Sequence, residues 1–375
     1  MKIGIDCRIY SSKFTGIGRY VYELTERLSK FDDGHDYVLF FNKPEFDKYH
    51  APSPKFKKIL ADAPIYSLRE QTHFNKILRA EKLDLMHFTH FNAPVFYKGK
   101  SIVTIHDLTL SFFPGKKKRS ILHRFGYHFT LRAAVKKAKK VITISQNSKK
   151  DLIELIGTPE DKIEVIYQGV SEKFKIIEDS LRIKKTLERY GLARSPFLLY
   201  TGVWRSHKNI PNMLRAFKKV RELCEEDLKM VITGKEDPYY PEVRELPKEI
   251  GIEDHVIFTG LVDENELVDL YNAASLYVFP SFYEGFGLPP LEAMACGTPV
   301  AASETSSIPE ICGKGNAVFF DPNDHGDMAQ VIYALYRDKA MQEDLVRRGL
   351  LRVGEFSWQT MAELTYNLYK ECLNN

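Results

Sequence analysis

The chain has 375 residues, 44% hydrophobic and 28% charged, with a net charge of +4. That length exceeds one ordinary core and suits two α/β domains, and the balance excludes a disordered or fibrous chain. No run reaches the roughly 18–20 apolar residues of a membrane span, and the start, Met1-Lys2-Ile3-Gly4-Ile5-Asp6, meets an acid too early for a secretory signal. The five cysteines, Cys7, Cys224, Cys296, Cys312 and Cys372, are scattered and never paired as Cys-x-x-Cys. They read as reduced, mostly buried thiols of a cytoplasmic protein, neither a zinc site nor a disulfide framework.

Short β-branched runs alternate with helical patterns. The first half predicts strands at 2–6, 37–41, 85–88, 101–105, 141–144 and 163–166, with helices over 18–28, 68–80, 120–138 and 148–156. Residues 168–196 form a charged, less regular stretch that reads as an interdomain connection. A second series follows, with strands at 197–201, 229–233, 256–259, 276–279, 298–301 and 317–319 and helices over 209–223, 264–273 and 290–296. The tail from Asp324 to Leu373 reads as three helices. Strands alternating with helices favour parallel sheets covered on both faces. The expected architecture is therefore α/β, two doubly wound domains facing each other across a cleft, with chemistry in the loops beyond the strand ends.

Charge is unevenly spread. From Gly115 to Lys150 twelve residues are Lys or Arg and none is acidic. Two readings stay open, a solvated helix face or a surface that meets anionic phospholipid or a phosphorylated acceptor. Aromatic residues are not interleaved there in a recognisable module, which argues against nucleic acid.

The strongest motif runs from Phe279 through Glu284-Gly285-Phe286-Gly287-Leu288-Pro289-Pro290-Leu291-Glu292. A buried strand ends, a glycine loop turns and a helix opens with proline near its start. Gly285 and Gly287 let backbone approach a ligand, and N–H groups at the helix start suit a phosphate. Glu284 in the loop and Glu292, expected in the first helical turn, can both accept hydrogen bonds from donor hydroxyls. Alternatively Glu292 complements the helix dipole and Glu284 is a solvated acid. The loop Gly202-Val203-Trp204-Arg205-Ser206-His207-Lys208-Asn209 offers two cations, Arg205 and Lys208, to clamp a pyrophosphate. In Thr104-Ile105-His106-Asp107 a histidine at a strand end can donate to a hydroxyl or shuttle a proton, or be an ordinary core residue. His87 and His90 end another strand, and their spacing puts them on opposite sides, against shared metal ligation. They read as acceptor-side lining. Phe14-Thr15-Gly16-Ile17-Gly18-Arg19 is a glycine turn into a helix, lacking the third glycine of a dinucleotide fingerprint.

The spacing Glu284 to Glu292, followed by Ala293-Met294-Ala295-Cys296-Gly297-Thr298-Pro299-Val300, resembles the paired-glutamate motif of glycosyltransferase family 4 (GT4), a family of retaining enzymes. The resemblance implies the GT-B fold, two Rossmann-like domains with the donor in the C-terminal one. It implies a first domain over 1–170, a donor domain over 171–355 and a final helix, 356–375, packing back on the first domain. Carried over residue by residue, it puts Glu284 on the donor sugar, Glu292 on the ribose and Lys208 on the phosphates. His106 then lies near the sugar, and Gly16, Gly18 and Arg19 face donor phosphate and acceptor. Many relatives place arginine directly after the glycine, where this chain has Val203 and Trp204, so Arg205 is the candidate replacement. Residues 303–310 resemble the loop that follows the paired-glutamate helix.

The implied activity is retaining transfer of a hexose, foremost mannose from GDP-mannose, to a glycan or lipid-linked oligosaccharide at the inner face of the cytoplasmic membrane. No Asp-x-Asp metal motif follows a strand, so no obligatory metal or other cofactor is expected. Donor-binding contacts are expected from Gly285, Phe286, Gly287 and Leu288. UDP-sugar donors, an epimerase of similar architecture and a non-catalytic binding protein on the same fold remain the alternatives.

Overall fold

A computed structural model describes all residues except 12–15, 32–33, 117–120 and 375, and the side chains of 121–123. The chain forms two compact units. Met1–Ser111, Lys118–Gly169 and Ser357–Asn375 make the first, and Phe112–Lys117 with Val170–Phe356 make the second.

The first unit holds a seven-stranded parallel sheet. Its strands are β1 (Lys2–Asp6), β2 (Asp36–Phe41), β3 (Phe56–Leu60), β4 (Leu85–Phe88), β5 (Ser101–Ile105), β6 (Lys140–Thr143) and β7 (Ile163–Val165). They lie in the order β3-β2-β1-β4-β5-β6-β7. The second unit holds a six-stranded parallel sheet of β8 (Phe197–Thr201), β9 (Lys229–Thr233), β10 (Val256–Gly260), β11 (Leu276–Phe279), β12 (Val300–Ser303) and β13 (Val318–Phe320). Its order is β10-β9-β8-β11-β12-β13. Central strands such as Phe197–Thr201 are buried at every position, as a sheet covered on both faces requires. Phe40, Phe74, Met86, Val103 and Leu131 build one core. Leu198, Trp204, Phe217, Val278 and Ile332 build the other.

Some elements escape the sequence pattern, β3 and the helix before β8 among them. β3 is an edge strand carrying Lys57 and Lys58, so it lacks the apolar run of its neighbours. The stretch expected to be irregular, 168–196, contains the helix Ser180–Arg189. Its N-cap Asp179 accepts from Arg182 N at 3.0 Å, and Arg182 and Thr186 both bind the buried Asp269 at 2.8 and 2.7 Å. The predicted helix over 68–80 is a π segment, Glu70–Phe74, running into an α-helix, Asn75–Ala80.

The last helix, Trp358–Asn374, belongs to the first unit and packs on the helix Gly16–Leu28 and on β4. Its Tyr369 hydroxyl meets His87 Nδ1 at 2.7 Å, while Thr104 Oγ1 meets Nε2 at 2.8 Å. His87 is fully buried, and burial, with the nearby His106, pushes its pKa down to about 3. It anchors the helix and does not line an acceptor site, which corrects the sequence reading. Cys7, Cys296, Cys312 and Cys372 are buried and Cys224 is half-buried, all as free thiols.

Candidate functional site

In the second sheet the strand order reverses between β8 and β11. The loops leaving the carboxyl ends of these two strands flank the switch point, the usual ligand position in such sheets. They are the two loops singled out by sequence, Gly202–Asn209 and Pro280–Gly287.

Lys208 and Glu284 meet there. Lys208 Nζ lies 2.7 Å from Glu284 Oε1, with both side chains less than a fifth exposed. Burial alone would raise the Glu284 pKa, but the charges of Lys208 and then His207 outweigh it and hold the carboxyl below its ordinary value of 4.5. Main-chain contacts fix the pair. Glu284 N donates to Ser306 Oγ at 2.8 Å, and the Ser306 and Ser307 hydroxyls donate to Glu284 O at 2.7 and 2.9 Å. Asn209, buried and left-handed at φ 56°, donates from one amide to Pro280 O at 3.0 Å and Pro322 O at 2.7 Å. This latch between the two loops was not legible as such in the sequence. An Asn at a helix start resembles an ordinary N-cap, yet its side chain caps nothing here.

The helix after the second loop is Leu288–Ala295, capped by Gly287 at φ 134°, a backbone angle that L side chains rarely adopt. It begins two residues earlier than expected. Glu292 is its fifth residue, one beyond the first turn, which corrects the sequence placement. Pro289 and Pro290 carry no N–H, so the donors at this helix start come down to Gly287 and Leu288. Gly285 and Phe286 are buried in the turn, and Phe286 O, 2.6 Å from Ser307 Oγ, shares that hydroxyl's one proton with Glu284 O. Glu292, half-buried, accepts from the Tyr271 hydroxyl at 3.2 Å.

Arg205 sits apart from that ion pair. Its guanidinium is 44% exposed and pairs with Asp237, in the loop after β9. Trp204, beside it, is buried in the core, and Val203 is partly exposed. The two cations of this loop thus have different anionic partners.

In the first unit the order reverses between β1 and β4. His106, just past β5, is buried. Its Nε2 faces Thr89 O at 2.9 Å, Nδ1 faces Gln168 Nε2 at 3.5 Å, and Tyr20 packs edge-on at 4.9 Å. A carbonyl can only accept, so Nε2 carries the proton and Nδ1 is the acceptor. Burial pushes the ring down to about 4 against smaller opposing effects from Thr89 and Asp107, so it is neutral at pH 7. In this geometry His106 is an acceptor through Nδ1; the donor role read from sequence is already filled by Thr89. His90 is half-buried, its ring 4.2 Å from that of Phe91.

Gly16 and Gly18 open the helix Gly16–Leu28, and Arg19 Nε binds Glu23 one turn on at 2.8 Å. Phe14 and Thr15 of that motif lie outside the described residues. A cluster that sequence reasoning passed over stands beside it. Arg8 forks onto Asp6 at 2.8 and 2.7 Å, and its Nη1 lies 2.8 Å from Glu70 as an ion pair angled away from a hydrogen bond. It also donates to Asn92 O at 2.9 Å. These groups tie together the loops after β1 and β4 and the π segment. The only signal was the alternation of Asp6 and Arg8 around a cysteine.

The basic segment divides. Lys116 pairs with Glu242 within the second unit, and residues 117–119 lie outside the described residues. Lys140, Lys149 and Lys150 face Glu164, Glu160 and Glu154. On the helix Ile121–Lys137, Arg124, Arg132 and Lys136 are exposed beside the stacked, exposed rings of Phe125 and Phe129. Among the described residues, no helix is long and apolar enough to cross a membrane. None of their His, Cys, Asp and Glu side chains form a group of three or more able to hold a metal ion.

Comparison with known proteins agrees in fold and family. The profile of "Glycosyl transferases group 1" matches residues 183–352, and that of "Glycosyltransferase Family 4" matches residues 14–174. O-antigen chain mannosyltransferase B of Escherichia coli is 29% identical over 370 residues, covering 95% of this chain and 96% of that protein. Serotype-specific mannosyltransferase WbdA of Escherichia coli is 32% identical over 246 residues, 65% of this chain but 30% of its own greater length. Sucrose-phosphate synthase from Thermosynechococcus elongatus superposes with a TM-score of 0.80 at 23% identity, covering 99% of this chain and 98% of that one.

Proposed function

The chain belongs to glycosyltransferase family 4, and from that premise we propose that it transfers mannose from GDP-mannose, with retention at the anomeric carbon, to a glycan or lipid-linked oligosaccharide. That it is a glycosyltransferase of hexoses follows from the family profiles and the mannosyltransferase relatives. The observation that carries the donor site is the Lys208–Glu284 ion pair at the switch point of the second sheet. A diphosphate competes for the ammonium and sugar hydroxyls compete for the carboxylate, so a donor replaces the pair's own contact with two of its own. Lys208 then stabilises charge growing on the leaving diphosphate, with the N–H groups of Gly287 and Leu288 and, more distantly, Arg205. Glu292 accepts from the ribose hydroxyls. His106, neutral, can accept from a sugar hydroxyl through Nδ1 only by exchanging the Gln168 amide, 3.5 Å away, for it. Transfer by this set needs no divalent ion, because the loop supplies its own cations. The name of the E. coli relatives, mannosyltransferases, supports the choice of sugar.

For the acceptor, the exposed Phe125–Phe129 pair flanked by Arg124, Arg132 and Lys136 supports peripheral contact with an anionic bilayer. Each basic residue near such a surface adds about 1 kcal/mol.

The test is thermal unfolding with GDP, UDP, ADP and NAD and the sugar conjugates, in EDTA and then with magnesium. A ligand at 100 times its dissociation constant adds about 2.7 kcal/mol of stability. Stabilisation by GDP and GDP-mannose in EDTA is the expected result. Preference for UDP overturns the donor, a requirement for magnesium overturns metal independence, and an inverted product overturns retention.

A further inference from the structure

Three hydroxyls lie in a row behind Glu292. Tyr277, in β11, has its hydroxyl 2.9 Å from Thr201 Oγ1 at the end of β8. Thr201 Oγ1 is 3.1 Å from the hydroxyl of Tyr271, on the helix Glu264–Ala273. Tyr271 in turn donates to Glu292 Oε2 at 3.2 Å. Both tyrosines are fully buried and Thr201 is 7% exposed.

The direction of the chain follows from valence. An ionised carboxylate only accepts, so Tyr271 gives its proton to Glu292. Its oxygen must then accept from Thr201, and Thr201 must accept from Tyr277. Every hydroxyl points its proton towards Glu292. In a dry interior such a chain polarises along its length, which strengthens the last bond. A purely structural core would fill these positions with Phe and Val at lower desolvation cost. The four side chains come from four elements that meet at the switch point, and the tyrosine rings lock one another at 5.5 Å and 61°.

We propose that Tyr277, Thr201 and Tyr271 form a directed hydroxyl relay that positions Glu292 for the ribose of the nucleotide donor. The proposal rests on the reading of Glu292 given above. A carboxylate has about four lone-pair sites, so accepting from Tyr271 leaves capacity for a ribose diol while fixing the rotamer that presents it. The three residues are positioning groups; none touches the reacting atoms.

Calorimetry on the full chain tests this with GDP and UDP, each beside its 2′,3′-dideoxy counterpart. The wild type should prefer the ribonucleotide, and Glu292→Gln should erase that preference. Tyr271→Phe should weaken the ribonucleotide roughly tenfold, one net hydrogen bond's worth, and leave the dideoxy form within about twofold. Thr201→Val, which keeps the Tyr271–Glu292 bond but removes the hydroxyl that donates to Tyr271, should act in the same direction and less. It also serves if Tyr271→Phe does not fold. In turnover, Tyr271→Phe should raise the donor KM and spare kcat, the sign of lost uniform binding. If Glu292→Gln erases the preference while Tyr271→Phe and Thr201→Val retain it, the relay is wrong and the ribose role stands. If Glu292→Gln keeps the preference, the ribose role fails and the relay falls with it.

Discussion

Replacing Lys208 with methionine removes the charge and keeps the length of the side chain. At 2.7 Å and an effective dielectric near 20, the gross attraction to Glu284 is about 6 kcal/mol. Desolvation of two ends that are each under a fifth exposed cancels most of this. Losing a hydrogen bond to a charged group typically leaves a net cost of about 2 kcal/mol, which lowers Tm by about 4–8 °C for a unit of this size. The pH dependence is more diagnostic. In the wild type Glu284 titrates below its ordinary value, so its contribution is present at neutral pH and is lost as pH falls through the folded-state value. Without Lys208 the largest remaining influence is burial, which raises the carboxyl. The variant therefore carries a penalty above that raised value and sheds it on acidification. The Tm gap should be widest near pH 7 and close below pH 4.5, and the acid limb of kcat/KM should move to higher pH. Differential scanning calorimetry at stepped pH measures the first. A gap of equal size at pH 7 and at acid pH would refute the electrostatic account. Unchanged GDP affinity in the variant would refute the role of Lys208 on the diphosphate.

His106, with its pKa held near 4, should show no imidazole titration by NMR between pH 5 and 8. Because its folded value lies below the unfolded one, it favours the fold above about pH 6.5, and this support fades as pH falls towards 4. Arg205→Ala should change stability by less than about 0.5 kcal/mol, since the pair with Asp237 is partly exposed. If initial rates at saturating acceptor then fall more than about tenfold, Arg205 reaches the donor phosphates; full activity removes it from the site. Asn209→Ala should cost about 2–3 kcal/mol, because two carbonyls lose their donor and alanine resists a φ of 56°. Asn209→Gly should recover the backbone part of that loss and leave the rest, as read by thermal unfolding and by donor KM.

Much of the frame is local and so was legible in sequence. β1, β4, β5, β8, β9 and β11 fall where buried apolar runs predict them, because a strand in a covered parallel sheet must be apolar throughout. The paired glutamates, the glycine turn and Lys208 were also visible, since a strand, a tight turn and a helix start each impose residue types at fixed offsets. What tertiary structure alone decided is which groups meet. Sequence put Arg205 and Lys208 three residues apart on one loop, yet they face Asp237 and Glu284, which come from different loops. It placed Glu292 in the first helical turn, while Gly287 starts the helix early and Tyr271 holds the carboxylate from another helix. It left His87 open to an acceptor role, and the last helix buries it through Tyr369, 282 residues away. Hydrophobic pattern fixes which residues turn inward; polar partnership depends on distances across the sheet, which no local spacing encodes.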